Sequence, residues 1–229
     1  MSGASAAVFA GMPDEGLAFL EDLEERNTKE FFDTHKRLFK EQVQVPFAAL
    51  LDAAAERLRR SAPELGQPKV FRIYRDLRFS KDKTPYKTSM SGHVAHRAPA
   101  DGVVEVGYFV NLGPEGLYAA GGLYHPARSE LERVRAAVAG SDGGVELASI
   151  LRRAAGRGME QWLDPLQRMP KPYPADHPLA DLLRARSFTL HRHHERGPFM
   201  LTGELLDRLV EDWRALVPLN RWLDRTLSG

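Results

Sequence analysis

The sequence predicts an α+β protein with an antiparallel sheet of about four to five strands and helices packed mainly on one face. Amphipathic helical patterns come first, segments with the two-residue alternation of strands then cluster between residues 69 and 125, and helical patterns follow. Short connections between neighbouring strands favour antiparallel pairing, and the regular alternation of strands and helices that builds parallel sheets is missing. We therefore expect one domain over residues 14–227.

The N-terminal part of this domain, residues 14–60, carries helical patterns. Leucines recur at intervals of three from Leu17 to Leu23, between acidic residues that would form the outer face of a helix. Asn27 and Glu30 have the spacing of a capping box, which predicts that a second helix begins directly after Asn27.

The central part, residues 69–125, should form the sheet together with a basic strand and loop. From Phe71 to Ser80 apolar and polar residues alternate as in a half-buried strand, with Arg75 at one of the apolar positions. A buried guanidinium needs a carboxylate or a pocket, because an unpaired buried charge is costly. The carboxylates near it in sequence are Asp76, Asp82 and Glu105. Further strands are expected at residues 90–96, 103–112 and 117–124.

The last part, residues 127–227, should contain helices plus one further strand at Ser187–His194. Five prolines between Pro165 and Pro178 predict an irregular, extended segment. The adjacent pair Gly121-Gly122 indicates a bulge or a close approach of a ligand or another backbone. Residues 1–12 are small and weakly patterned, which predicts a flexible tail.

Composition limits the classes of function. The 229 residues carry a formal net charge of +1, so a preference for anions must be local. There is no cysteine, which excludes disulfides, zinc–cysteine sites, iron–sulfur clusters and thiol nucleophiles. Neither a signal peptide nor an apolar stretch of membrane-spanning length is recognisable, so we expect a soluble, cytoplasmic protein without a membrane partner. The serine-hydrolase, phosphate-loop and zinc-protease motifs are also missing.

The most unusual stretch runs from Lys69 to Arg97 and contains eight basic residues against two acidic ones. Arginine and lysine side chains at this density can hold phosphate or carboxylate through charge-assisted hydrogen bonds. We therefore predict that the protein binds an anionic, phosphate-bearing small molecule here. The predicted anion-binding residues are Arg72, Arg75, Arg78, Lys81, Lys83, Tyr86 and Lys87, with His125 facing the same cavity.

Two alternatives stay open for the same cations. They could form an open stripe that binds nucleic acid, with Tyr74 or Tyr86 exposed for stacking. They could instead form internal ion pairs in a structural or partner-binding domain. The histidines give only a weak metal signal, because one strand carrying His191 and His193 supplies too few ligands, and we predict no metal site. Whether the protein is an enzyme, and with which cofactor, is left open by the sequence.

The segment FRIYRDLRFSKDKTPYKT, preceded by PFAALLDAA and followed by GGLYHP and LLRARSF, resembles the pattern of the bacterial and fungal family known as domain of unknown function 2461. The similarity runs in order from about Leu17 to Leu223. NTKEFFDTHK also resembles the family segment Asn-Arg-Glu-Trp-Phe-x-x-Asn-Lys, with Phe31 in place of the tryptophan and His35 in place of the asparagine. The resemblance implies membership of this family and implies no activity.

Overall fold

A computed structural model describes residues 9–76, 78, 81–97 and 106–228 of the protein. Its helices are α1 (Asp14–Glu25), α2 (Lys29–Leu38), α3 (Val45–Arg59), α4 (Arg128–Ala139), α5 (Ser141–Ala155), α6 (Ala180–Arg184) and α7 (Glu204–Ser228). A π-helical turn, Phe39–Gln44, joins α2 to α3, and a 3-10 turn, Pro198–Leu201, precedes α7. The strands are β1 (Pro68–Val70), β2 (Met90–Ala95), β3 (Gly107–Gly113), β4 (Gly116–Leu123), β5 (Glu160–Trp162) and β6 (Phe188–Glu195).

Six strands of the described chain form one sheet in the order β1-β2-β3-β4-β6-β5, and every neighbouring pair is antiparallel. This confirms the predicted fold class, and the strand number is close to the predicted four to five. The predicted strands at residues 90–96, 117–124 and Ser187–His194 correspond to β2, β4 and β6. Strand β5 was not predicted because three residues are too short to show a periodicity.

Helices α3 and α7 cover one face of the sheet. An added Cβ at Gly92 would lie 2.6 Å from the Leu51 side chain of α3, and one at Gly121 would lie 2.8 Å from Leu216 of α7. The indole of Trp213, also in α7, is fully buried and donates a hydrogen bond to the Phe109 carbonyl (3.1 Å). The residues that alternate with these along the strands face away from α3 and α7 and line a cleft described below.

The expected strand from Phe71 to Ser80 is wrong over its described residues. Only Tyr74 takes part in a β-bridge, and Leu77, Phe79 and Ser80 lie outside the described residues. Burial nevertheless alternates as predicted: Ile73 is buried, and Arg72, Tyr74, Asp76 and Arg78 are exposed. The alternation of the sequence thus reports which side chains point inward, whereas a strand also needs a neighbouring strand along its length.

The expected cap at Asn27 is also wrong. Thr28 is the N-cap of α2, and its hydroxyl accepts a hydrogen bond from the Phe31 amide (3.2 Å). Asn27 lies one residue too early for that role and contacts the basic segment instead.

The chain is well packed near its N-terminal end. Phe9 and Met12 are buried, and the Met12 amide donates to the Met200 carbonyl (2.8 Å). Residues 1–8, the rest of the expected tail, lie outside the described residues. No helix in the described ranges has the length and apolarity needed to cross a membrane.

A buried histidine links the end of β2 to the core. His96 is 1% exposed, its Nδ1 lies 3.1 Å from the Tyr108 hydroxyl, and its Nε2 lies 3.2 Å from a Glu64 carboxylate oxygen. Burial lowers the pKa of His96, and this effect outweighs the attraction of the charged imidazole to Glu64 and Asp224. The neutral imidazole is therefore the form that the folded protein favours.

This pKa shift predicts a loss of stability in mild acid. The unfolded chain, with a histidine pKa of about 6.5, binds a proton more readily than the folded protein does. Neutral His96 therefore contributes to the free energy of unfolding above that pH, and this contribution is lost as the pH falls below it. Urea unfolding of wild type and His96→Gln at pH 7.5 and pH 5.5 measures it, and we expect a smaller difference between the two pH values for the variant. The exposed His193 supplies the control, His193→Gln, which should keep the wild-type difference. Equal differences in all three proteins would contradict the assignment to His96.

Candidate functional site

The described residues of the basic segment, 71–76, 78 and 81–87, fold back on themselves beside α2 and are called the hairpin below. Tyr74 and Tyr86 form an isolated antiparallel bridge, flanked by backbone hydrogen bonds of 2.8 and 2.9 Å. The Asn27 side chain fixes this hairpin to the start of α2, because its amide donates to the Tyr86 carbonyl and its oxygen accepts from the Tyr86 amide, both at 3.0 Å. One side chain thus reproduces the hydrogen bonds of a neighbouring strand. The hairpin is therefore held in place although it lies outside the sheet.

Arg75 has its charged partner inside the hairpin. Its guanidinium lies 3.2 Å from a carboxylate oxygen of Asp82 and donates to the Tyr86 carbonyl (3.3 Å). The pKa of Asp82 is lowered mainly by hydrogen bonds from the Thr84 amide and hydroxyl, and to a smaller extent by the charge of Arg75. Of the three carboxylates considered as partners for Arg75, the structure pairs it with Asp82, and Glu105 lies outside the described residues.

Arg78 is bound to Asp76 in the same way. Its Nε and Nη2 donate to the two carboxylate oxygens at 3.0 and 2.7 Å, and these bonds together with the Arg78 amide lower the pKa of Asp76. The geometry is the two-pronged pairing that arginine forms with carboxylates. Arg75 and Arg78 therefore have partners within the hairpin, as the alternative of internal ion pairs requires.

A groove of about 220 Å³ lies between the hairpin and the C-terminal end of α2. Lys36, Lys40 and Arg72 line it, and all three side chains are exposed. Tyr74, 48% exposed, lines the same groove, which has no acidic residue in its lining. Among the described residues, no hydrogen bond or ion pair joins Lys36, Lys40 or Arg72 to another side chain. The groove is thus a concentration of positive charge without a counter-charge in its wall.

The other predicted site residues are distributed more widely. Lys81 and Lys83 are exposed on the hairpin, Lys87 is half-buried, and Lys83 makes an interaction within the protein. Tyr86 is 3% exposed, and its ring stacks on Phe32 with centroids 4.1 Å apart, so it supports the hairpin from inside. Burial raises the pKa of Tyr86, which keeps its hydroxyl neutral.

His125 belongs to a different region. It has a positive φ of 46°, its amide donates to the Ser187 hydroxyl (3.2 Å), and its ring contacts Tyr124 and Trp162 edge-on. No described contact joins it to the cations of the hairpin. The structure thus brings Arg72 to the basic groove and places His125 against Tyr124 and Trp162, two residues that line another cleft.

That second cleft has a volume of about 750 Å³ and lies on the face of the sheet that α3 and α7 leave uncovered. Its lining includes the rings of Phe71, Phe109, Tyr118, Tyr124, Trp162 and His191. The cleft was missed at the level of sequence because its residues come from separate strands, one of them the short β5. The alternation of Tyr118, Ala120, Gly122 and Tyr124 along β4 was the available signal, since such residues share a face.

One histidine of β2 and one of β6 lie at this cleft. His93 and His191 line the cleft, and the Nε2 atom of His191 lies 3.6 Å from a Glu160 carboxylate oxygen. Within the described ranges, no group of three or more histidine, aspartate or glutamate side chains is arranged to hold a metal ion.

The six-stranded antiparallel sheet with its helices defines a mixed α+β protein. The model of the family described as "Conserved hypothetical protein (DUF2461)" matches residues 15–222, so the chain belongs to this family, as the sequence resemblance predicted. Searches of curated proteins and of solved structures gave no match.

Two of the positions at which this chain departs from the family segment, Phe31 and His35, are in contact with each other. The rings of Phe31 and His35 have centroids 4.3 Å apart, and His35 Nδ1 lies 2.8 Å from the Phe31 carbonyl oxygen. Phe31 also stacks on Phe19 of α1. These residues pack α2 against α1, and neither lines the basic groove or the sheet cleft.

Proposed function

We propose that the protein binds an anionic, phosphate-bearing small molecule in the groove between α2 and the segment Arg72–Tyr74. The observation that carries this proposal is the convergence of Lys36, Lys40 and Arg72 on one concave surface without an acidic neighbour in its lining. Lys36, Lys40 and Arg72 form no ion pair or hydrogen bond with a described side chain, although the charge of Arg72 acts on Asp76 at longer range. Arg75 and Arg78, by contrast, already hold carboxylates directly.

The residue types suit phosphate. Arg72 can donate two parallel hydrogen bonds to a phosphate group, and the two lysines supply compact charges on flexible stems. Lys36 and Lys40 are four residues apart on a continuous helical segment, which puts both ammonium groups on the same side of it. Lys81, Lys83 and Lys87 follow on the same hairpin, and their positive field would attract an anion towards the groove.

A thermal-shift screen with pyrophosphate, ATP, glucose 6-phosphate and polyphosphate tests the proposal, followed by titration of the most stabilising compound. We expect Arg72→Gln and Lys40→Gln each to weaken its binding about tenfold or more, because each removes a charged hydrogen bond. The matched control is Arg37→Gln. Arg37 lies on α2 next to Lys36, but its side chain is 89% exposed and outside the groove lining.

Control and groove variants together decide the outcome. Stabilisation of the wild type that is lost in Arg72→Gln and kept in Arg37→Gln supports the site. Equal weakening by all three variants would show only non-specific attraction, and no stabilisation by any of the four anions would remove the proposal.

The exposed ring of Tyr74 beside three cations also fits the nucleic-acid alternative, because bases stack on such rings. Labelled single strands and duplexes at 50 and 200 mM salt form the second arm of the test. Salt-dependent binding of strands, without binding of the small phosphates, would favour that alternative over a small-molecule site.

A further inference from the structure

The cleft on the uncovered face of the sheet has a construction of its own. Along β4, Tyr118, Ala120 and Gly122 face the same side, and Tyr124 follows directly after the strand. Two small residues thus separate two aromatic ones, which leaves a flat floor between raised walls. Gly107 of β3 extends this floor, and an added Cβ there would lie 2.5 Å from Nε2 of His93. The cleft is therefore shaped by the absence of side chains at its centre.

Both walls consist of stacked rings. Tyr124 stacks on Trp162 with centroids 4.9 Å apart and an interplanar angle of 30°. At the other end, Tyr118 stacks on His191 with centroids 5.3 Å apart and an angle of 26°. Trp162 is 37% exposed and Tyr124 is 58% exposed, so large ring surfaces face solvent although the rest of the apolar residues are mostly packed away. Contiguous exposed aromatic surface in a cleft is typical of a binding site.

The chemistry of the lining selects among ligands. No lysine, arginine, aspartate or glutamate lines the cleft in the described part of the chain. The ionisable lining side chains besides tyrosine are the imidazoles of His93 and His191, so the lining holds no permanent charge. Few polar side chains line the cleft. The Thr189 hydroxyl already donates to the Trp162 carbonyl (3.2 Å), and His93 makes an interaction within the protein. The Tyr118 hydroxyl has no hydrogen bond to a described residue, and neither has Nδ1 of His191. A sugar chain would bury many hydroxyls here without partners, which is unfavourable. A flat aromatic ring needs stacking surface and only one or two hydrogen bonds.

We propose that this cleft binds an uncharged molecule with a flat aromatic ring system, stacked on Trp162 and Tyr124 and hydrogen-bonded by the Tyr118 hydroxyl. The volume of about 750 Å³ lies within the range of small-molecule sites. This site is separate in residues from the basic groove except for Phe71, which lines both. The proposal for this cleft does not depend on whether the basic groove binds an anion.

Isothermal titration calorimetry with adenosine, thymidine and indole tests the site, because these flat ring compounds carry no charge that the basic groove could recognise. Maltotriose serves as the sugar probe. We expect at least one of the three to bind the wild type with a dissociation constant of about 1 mM or lower. Trp162→Ala should weaken that binding about tenfold or more, since it removes a stacking surface.

The controls separate this site from the groove and from misfolding. Leu201→Ala removes an exposed apolar side chain that lines neither the cleft nor the basic groove and should leave the binding of these compounds unchanged. Tyr124→Ala, at a residue after the end of β4, provides a second variant of the cleft if Trp162→Ala disturbs β5. Unchanged binding in both cleft variants, binding of maltotriose alone, or no binding of any ring compound would overturn the proposal.

Discussion

Replacing Asp212 with alanine should lower the free energy of unfolding by about 3–5 kcal/mol, the range for breaking a buried ion pair by removing one partner. Asp212 is 1% exposed in the middle of α7, and its carboxylate holds Arg192 at 2.8 Å and His194 at 2.7 Å. Burial raises the pKa of Asp212, and the bonds to His194 and Arg192 oppose that shift. The alanine variant would leave the half-buried side chains of Arg192 and His194, both in β6, without this carboxylate partner.

Asp207→Ala is the matched control for this prediction. Asp207 lies on the same helix and pairs with Arg57, but its side chain is 67% exposed, so its loss should change the stability by less than about 1 kcal/mol. Chemical denaturation of both variants measures the difference. Similar losses in the two variants would contradict the view that the Asp212 network fixes α7 to β6.

Gly122→Ala should destabilise the protein by at least about 2 kcal/mol. Gly122 has a φ of 121°, a conformation that side-chain-bearing residues rarely adopt, and an added Cβ would lie 2.1 Å from the Phe188 carbonyl oxygen. Because that oxygen belongs to the backbone of the neighbouring β6, the contact can be relieved only by moving a strand. The close approach of another backbone is one of the two explanations that the sequence suggested for the glycine pair.

Gly156→Ala provides the comparison. Gly156 has a φ of −63° at the end of α5, and the nearest atoms to an added Cβ are 3.6 Å away. Alanine there should be neutral or stabilise the protein by about 0.4–1 kcal/mol, because it restricts the unfolded chain. The thermal unfolding temperature should therefore fall in Gly122→Ala and stay the same or rise in Gly156→Ala. A Gly122→Ala protein as stable as the wild type would refute the steric argument.

The sequence predicts the fold better than it predicts the site. Strands β4 and β6 are long enough for a two-residue alternation to be visible, and so the antiparallel sheet follows from local patterns. The basic hairpin shows the limit of such patterns. The alternation correctly predicts that Ile73 is buried and Arg72 exposed. The backbone amide and carbonyl of Tyr86, however, are bonded by the side chain of Asn27, and no periodicity of the sequence reveals that contact.

The site is harder to predict because it combines residues that are distant in sequence. Arg72 was among the predicted residues, but Lys36 lies in α2 and Lys40 in the π-helical turn that follows it. Neither carries a signal beyond being an ordinary exposed lysine of a helical segment. The charge count along the chain also could not show that Arg75 and Arg78 are paired with Asp82 and Asp76. Only the fold distinguishes cations with partners from cations without them.

The most direct test of the proposed function is to map the binding of pyrophosphate by NMR, following backbone amide shifts of the labelled full-length protein during a titration. We predict that the saturable shifts cluster at Lys36, Lys40 and Arg72–Tyr74 and are lost in Arg72→Gln. Shifts centred on Lys81–Lys87 or around His125, with the α2 residues unchanged, would contradict it.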